Sequence, residues 1–292
     1  MFWEERQKGE GAYFAITAPD RKDVSTENIP EPPELEEKWF NVDYRVNETL
    51  SRIENTYYAG DALPTASVNF GPANLAGVIG AKYKLMKDTI FFDIDPPIRS
   101  WDNLPEFHLK KNGRLYQAIR QTLRELARLA EGRYFVAVTD IGSNLDVLCS
   151  LRKREAVLQD MKLNPRKITG MFEVINHLWK EFYEDNYTWI TEYTPYMTAF
   201  TPIVKNGKWY KVESESSVLL SPRLFADMVL PALQWQADCL DSVMFNLDGF
   251  DHARLLPEVL TLKGLHSVTW VPPQAMILCQ VNLSKTLPPG NL

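Results

Sequence analysis

Aspartate residues follow three short apolar runs of this sequence. Asp93 lies in the segment TIFFDI, Asp140 follows Phe135–Thr139, and Asp248 follows the segment SVMFNL. A carboxylate fixed at the end of a buried strand can transfer a proton or stabilise a developing positive charge. Each aspartate also has a simpler explanation, because aspartate is common in turns, where it accepts backbone N–H hydrogen bonds. Asp248 lies four residues before His252, and this position supports a pocket as well as a simple turn.

The cysteine and histidine residues do not form a metal-binding pattern. Cys149, Cys239 and Cys279 are far apart in the sequence, and no histidine is paired with a cysteine at the spacing of a zinc site. The odd number of cysteines and the lack of a CxxC pair also indicate a reducing compartment. We therefore predict no tightly bound zinc, and we assign no metal ligand and no cofactor. Magnesium at clustered carboxylates is left open.

The composition indicates a globular protein that acts on a small molecule. The chain has 292 residues, of which 45% are apolar, and this is enough for one large core. A formal net charge of -6 provides neither the basic surface of a nucleic-acid-binding protein nor a polybasic membrane patch. The sequence also lacks an apolar run of 18 residues and a secretory signal. We expect a cytoplasmic protein with no nucleic-acid or membrane partner.

Helices and buried strands alternate along the chain. Arg114–Glu131 has apolar residues on one helical face and charged residues on the other, and Gly132 ends this helix. The run from Tyr134 to Thr139 that follows is β-branched and aromatic with little alternation, as in a strand that helices cover on both faces. Ser221 and Pro222 are typical of a helix start. This alternation predicts an α/β fold.

Further elements follow the same rules. The spacing of apolar residues predicts helices over 41–58, 75–79 and 255–260 and a long helical tract over 145–185, with a kink at Pro231 in the helix after Ser221. Short apolar runs predict buried strands at 66–71, 89–94, 242–247 and 265–271. No regular element is predicted over 187–205, and the prolines and acidic residues before position 40 predict an irregular leading arm.

Several segments, in their order along the chain, resemble the uroporphyrinogen decarboxylase superfamily. This superfamily includes the heme-pathway decarboxylase, corrinoid-linked methyltransferases and an uncharacterised bacterial branch, and the likeness is to that branch. The resemblance covers roughly residues 55–273. The segments are Tyr58-Ala-Gly-Asp-Ala-Leu-Pro, Asn69-Phe-Gly-Pro, Val138-Thr-Asp-Ile-Gly with Leu145-Asp-Val-Leu, Leu220-Ser-Pro-Arg-Leu-Phe with Val229-Leu-Pro, Asn246-Leu-Asp-Gly, and Val268-Thr-Trp-Val-Pro.

The resemblance implies a (β/α)8 TIM-barrel-like fold. Functional residues of such barrels lie at the carboxyl ends of the strands. This rule selects Asp140, Asp248 and Asp93 as catalytic residues. It also selects four substrate-binding residues, which are Asn246, Trp270, Glu215 and His252.

The resemblance also limits the chemistry. Methyltransferases of the superfamily hold zinc through a His-x-Cys pair, and this sequence has Asn246 and Asp248 at those positions, so a thiol-activating zinc site is not expected. Decarboxylation in the heme pathway needs no cofactor, only a carboxylate that stabilises the protonated intermediate. The resemblance therefore implies a lyase or a methyltransferase that acts on a small molecule, with a corrinoid protein as the partner of the second.

The last part of the sequence departs from the superfamily pattern. Residues 274–292 match none of it, so we divide the chain into a leading arm (1–40), a partial barrel (41–273) and an atypical tail (274–292). About 19 residues are too few for two β/α units, which take on the order of 30 residues each. We therefore expect the last two strands to be missing and the open barrel to self-associate. The alternative function is a catalytically inactive truncated fragment or a binding module.

Overall fold

The computed structural model describes residues 15–19, 29–199, 201 and 203–271. These residues form a mixed α/β structure. The predicted tail and the predicted loss of the final strands lie outside the described residues. Within the described ranges, no helix combines the length and the apolar character that a membrane crossing requires.

Strands and helices alternate over most of the chain. The strands are β1 (Ala15–Pro19), β2 (Thr56–Gly60), β3 (Thr65–Ala66), β4 (Lys84–Leu85), β5 (Ile90–Phe91), β6 (Phe135–Val136), β7 (Tyr196–Thr198), β8 (Val204–Asn206), β9 (Trp209–Glu213), β10 (Ser242–Asp248) and β11 (Leu265–Val271). The helices are α1 (Leu35–Phe40), α2 (Val42–Glu54), α3 (Leu75–Ile79), α4 (Arg114–Ala130), α5 (Asn144–Arg152), α6 (Arg154–Leu163), α7 (Pro165–Thr191), α8 (Pro222–Leu224), α9 (Leu230–Ala237), α10 (Gly249–His252) and α11 (Leu256–Val259).

The parallel strands fall into two groups. β9, β10 and β11 form a parallel sheet with β10 in the centre, whereas β3 pairs in parallel with β6, which reaches β7 through one parallel bridge between Ala137 and Thr198. In the described part of the chain, β7 does not pair with β9 and β11 does not pair with β3, so these residues form no closed barrel. Their buried apolar side chains nevertheless form one continuous core.

Helices cover the outer face of these strands. The amphipathic α4 buries Leu115, Ile119, Leu123 and Leu126, as its spacing predicts, and it ends where Glu131 adopts a left-handed conformation (φ 45°) before Gly132. The longest helix, α7, packs against α4, α5 and α9.

The chain from Ser221 to Ala237 confirms the predicted helix start. The Ser221 hydroxyl accepts a hydrogen bond from the Leu224 N–H at 3.2 Å, and Pro222 occupies the first helical turn. Between α8 and α9 the helix widens into a π turn over Phe225–Val229. Pro231 follows this turn and has no N–H to donate, so the irregularity lies just before the predicted kink.

Three expectations need correction. Residues 89–94 are not a buried barrel strand: β5 pairs antiparallel with β4 in a local hairpin closed by the Met86 N–H and the Thr89 carbonyl, and Phe91 is 47% exposed. The described part of the leading arm is not irregular, because it holds β1 and α1, and Trp39 is buried in the core. The segment over 187–205 contains the end of α7, β7 and the start of β8.

Candidate active site at the carboxyl ends of the strands

A buried polar network crosses the ends of β9, β10 and β11. The Lys211 ammonium contacts both carboxylate oxygens of Glu213, at 2.8 and 2.9 Å, and lies 3.5 Å from Oδ2 of Asp140. Asn246 donates to Glu213 at 3.2 Å and accepts a hydrogen bond from the Thr269 hydroxyl at 2.9 Å. Lys211, Glu213, Asn246 and Thr269 are all buried. The network thus joins three neighbouring strands, and Asp140 on the loop after β6, into one polar cluster.

The strand geometry explains this cluster. Side chains two residues apart on a strand point to the same face, so Lys211 and Glu213 lie together. Asn246 is in register with Glu213 on one side and with Thr269 on the other, which brings their side chains within hydrogen-bond distance. Tyr210 points to the opposite face, and its hydroxyl contacts the chain on both sides of Asp140. The network and Asp140 are therefore held by backbone pairing and by Tyr210.

The charges in this network perturb its proton affinities. Burial raises the pKa of Glu213 well above its ordinary value, and the negative charge of Asp140 raises it further. Lys211 is also buried, which by itself would favour the neutral amine, but Glu213 and Asp140 outweigh that effect and raise its pKa. Lys211 stays positively charged, and its charge and hydrogen bond oppose the effect of burial on the pKa of Glu213.

Glu215 lies just beyond β9 and titrates near neutral pH. The protein around it raises its pKa to about 7 through desolvation, followed by the negative charges of Asp146, Asp140 and Asp248. Its side chain is nevertheless exposed to solvent, because the surrounding protein forms a concave surface rather than a cover. Lys211 acts in the opposite direction and lowers the pKa. Glu215 can therefore both gain and lose a proton near pH 7.

Asp146 fixes the position of Glu215. Its carboxylate accepts the backbone N–H groups of Glu215 at 3.1 Å and Ser216 at 2.8 Å, and a hydroxyl hydrogen bond from Ser143 at 2.7 Å. Ser143 is also the N-cap of α5, so the start of this helix and the turn after β9 share one anchor.

The Glu215 side chain lines a cleft with a volume of about 390 Å³. Asp93 lies on the same cleft, on the loop after β5, although it does not end a barrel strand. Pro72 and Ala73, after β3, also line it, together with one face of α5 and the start of α6. The structure thus brings Asp93 and Glu215 to one concave surface, next to the carboxyl ends of β3 and β9.

The other predicted residues lie around β10 and β11. The Asp248 N–H donates to Nδ1 of His252 at 3.1 Å, and the Trp270 indole N–H donates to the Gly249 carbonyl at 3.0 Å. His252 is buried, and burial lowers its pKa even though Asp146 and Asp248 favour its protonation. These contacts shape the loop after β10. The functional roles assigned to Asp140, Asp248, Asn246, Trp270 and His252 stay predictions.

Sequence reasoning missed Lys211, Glu213 and Asp146. A usable signal was present in the segment WYKVE, where Lys and Glu occur two residues apart within an otherwise apolar strand. Two opposite charges at that spacing point to one face, and burial requires them to pair. Across the ranges that the structure describes, no group of three or more histidine, cysteine, aspartate or glutamate side chains has the geometry to hold a metal ion.

Comparison with known proteins supports the fold. No protein-family model matches the chain, and no curated protein matches it in sequence. A solved structure of a methyltransferase from Methanosarcina mazei matches with a TM-score of 0.59 at 9% sequence identity, over 81% of this chain and 64% of that protein. The chain therefore spans less than two thirds of the length of that methyltransferase. At this level of identity the match establishes a shared α/β fold.

Proposed function

We propose that this chain is a small-molecule methyltransferase built on the (β/α)8 plan of the uroporphyrinogen decarboxylase superfamily. The observation that carries the proposal is Glu215, whose carboxyl group is exposed in the cleft and has a pKa of about 7. A base is most effective when its pKa lies near the working pH, because it is then available and still accepts a proton readily. The fold shared with a methyltransferase supports the reaction class.

In the proposed reaction Glu215 activates the methyl acceptor. The acceptor atom loses its proton to the Glu215 carboxylate, and its lone pair forms a bond to the methyl carbon. The bond between that carbon and the donor breaks, and its electron pair stays with the donor. The donor is a methylated corrinoid protein, as the superfamily resemblance implies. The proton then passes to water, since Glu215 is exposed.

Neighbouring carboxylates support Glu215 electrostatically. Besides desolvation, the charges of Asp146, Asp140 and Asp248 raise its pKa and keep it basic enough to accept a proton, whereas Lys211 lowers it. Lys211 and Asn246 hold Glu213 in place in the buried network. Asp140 and Asp248 thus have an electrostatic role in the proposal, and Glu215 takes the proton.

The test is a methyl-transfer assay with the full chain. Isotopically labelled methylcobalamin serves as donor, with thiol, amine and hydroxyl compounds as acceptors. Glu215→Gln removes the base, and we expect kcat to fall by about 10²- to 10⁴-fold. Glu54→Gln, at an exposed position on α2, is the matched control and should leave kcat unchanged. Equal rates for the two variants would contradict the proposal.

The pH dependence separates methyl transfer from the lyase alternative. A base must be deprotonated, so the rate of methyl transfer should rise as the pH increases through about 7, the pKa of Glu215. A decarboxylase would use Glu215 as an acid that protonates the product, and its rate would fall over the same range while CO2 is released. If neither reaction occurs and no methyl acceptor raises the melting temperature, the inactive or binding-module alternative is favoured.

A further inference from the structure

The lining of the cleft carries side chains of both charges. Its acidic members are Asp93, Glu155 and Glu215 beside Asp146, and its basic members are Lys153 and Arg154, at the junction of α5 and α6. The Asp146 oxygens are already occupied by N–H and hydroxyl donors. A ligand in the cleft therefore meets both carboxylates and cations.

The charges of the cleft are not neutralised by neighbouring side chains. Within the part of the chain that the structure describes, Lys153, Arg154 and Asp93 form no ion pair. Arg152, one residue earlier, behaves differently, because its guanidinium pairs with Asp160 at 2.5 Å and stacks on Trp101. The cations at the cleft are thus available to a ligand.

The backbone at Lys153 has an unusual conformation. Its φ is 75°, a value that residues with a side chain rarely adopt. Lys153 is both the C-cap of α5 and the N-cap of α6. This bend carries Arg154 to the cleft, where it lies against the Cys149 thiol. Burial raises the pKa of Cys149 to about 12, so the thiol stays protonated and is no nucleophile.

The cleft also has an apolar wall. Phe91, 47% exposed, and Phe92 line the cleft together with Ile90 and Pro72. A chain of methylene groups would remove part of this apolar surface from water. The cleft thus offers carboxylates, an apolar wall and cations to one small ligand.

We propose that the cleft binds a zwitterionic amino acid, with its carboxylate at Lys153 and Arg154 and its ammonium group at Asp93 and Glu215. The inference rests on the proposed function in one respect: the ammonium nitrogen is the methyl acceptor. It loses a proton to Glu215, its lone pair bonds to the methyl carbon, and the donor keeps the electron pair of the bond that breaks. Asp93 holds the remaining positive charge.

The binding test needs no methyl donor. Isothermal titration calorimetry with the full chain uses four zwitterions of increasing charge separation: glycine, β-alanine, 4-aminobutanoate and 5-aminopentanoate. The amide and the N-acetyl derivative of each remove one charge at a time. We expect at least one zwitterion to bind, and both of its singly charged derivatives to bind at least tenfold more weakly.

Substitutions in the cleft show which side chains bind the zwitterion. Arg154→Ala and Asp93→Asn should each weaken binding of the preferred zwitterion about tenfold. Arg223→Ala and Asp227→Asn alter an exposed pair that does not line the cleft, and should leave binding unchanged. The melting temperature of each variant confirms that it folds. The inference is overturned if no zwitterion binds, if an amide binds as tightly as its parent acid, or if Arg154→Ala and Asp93→Asn both bind normally.

Binding and catalysis fail separately. A zwitterion that binds through Arg154 and Asp93 but is not methylated would contradict the proposed function and leave the binding site intact. If no zwitterion binds, but Glu215→Gln loses methyl transfer to a different acceptor, only the present inference is contradicted.

Discussion

The buried network and the open cleft use the same residue types in opposite ways. In the network, the buried Lys211 contacts the buried Glu213 and the partly exposed Asp140, so each of these charges has a partner of opposite sign. In the cleft, Lys153, Arg154 and Asp93 are exposed and form no ion pair with a described residue. The comparison teaches that a charged side chain stabilises the fold when it is buried with its partner, and is free for a ligand when its partner is absent.

The largest effect should follow from breaking the buried pair. Lys211→Met leaves Glu213 and Asp140 without a counterion, and removal of one partner of a buried ion pair costs about 3–5 kcal/mol of the free energy of unfolding. We expect about 3 kcal/mol, because Glu213 can bind a proton. Urea denaturation at pH 7 measures the difference. The double variant with Lys211→Met and Glu213→Leu should recover more than half of the loss. A single variant as stable as the parent chain would refute the comparison.

A smaller loss should follow from Asn246→Ala. This change removes the hydrogen bonds to Glu213 and Thr269 and leaves buried polar atoms without partners. Such a change costs about 1–3 kcal/mol. Urea denaturation reports it, and Asn41→Ala, at an exposed helix cap, is the comparison at the surface. If both substitutions lower the free energy of unfolding by the same amount, the buried network contributes no more to stability than a hydrogen bond at the surface.

The helices and the later strands were predictable from the sequence, and the closely placed charges were not. Arg114–Ala130 and Leu265–Val271 were predicted almost to the residue, since periodicity and β-branched runs are local signals. The contact between Lys211 and Asp140 joins residues 71 positions apart, which no local pattern encodes. Asp93 was assigned to the wrong kind of strand because a short apolar run suits a hairpin as well as a barrel strand.

The raised pKa of Glu215 should make the stability of the folded chain fall as the pH rises. Its pKa is about 7 in the folded chain and near 4.5 when unfolded, so the folded state binds the proton more tightly. The resulting stabilisation is complete below about pH 4.5 and is lost as the pH rises to about 7. The parent chain should therefore lose stability relative to Glu215→Gln over this range. Thermal melts at intervals of half a pH unit measure it, and a constant difference would contradict the assignment.

The smallest effect is expected at Asp93. Asp93→Asn should change the free energy of unfolding by less than about 0.5 kcal/mol, because this exposed carboxylate has no described ion-pair partner and surface substitutions of this kind are nearly neutral. Urea denaturation checks this. A loss comparable to that of Asn246→Ala would mean that Asp93 stabilises the fold, and that the contrast between network and cleft is wrong.

The hydroxyl of Tyr210 acts where main-chain pairing ends. It accepts the Ile141 N–H at 2.9 Å and donates to the Thr139 carbonyl at 2.9 Å, and so connects β9 to the chain after β6, although these strands belong to separate sheets. A single phenol thus replaces two hydrogen bonds of a β-ladder. The Ile141 amide should consequently exchange its hydrogen with solvent slowly, and its exchange rate reports whether the two sheets separate in brief openings of the folded state.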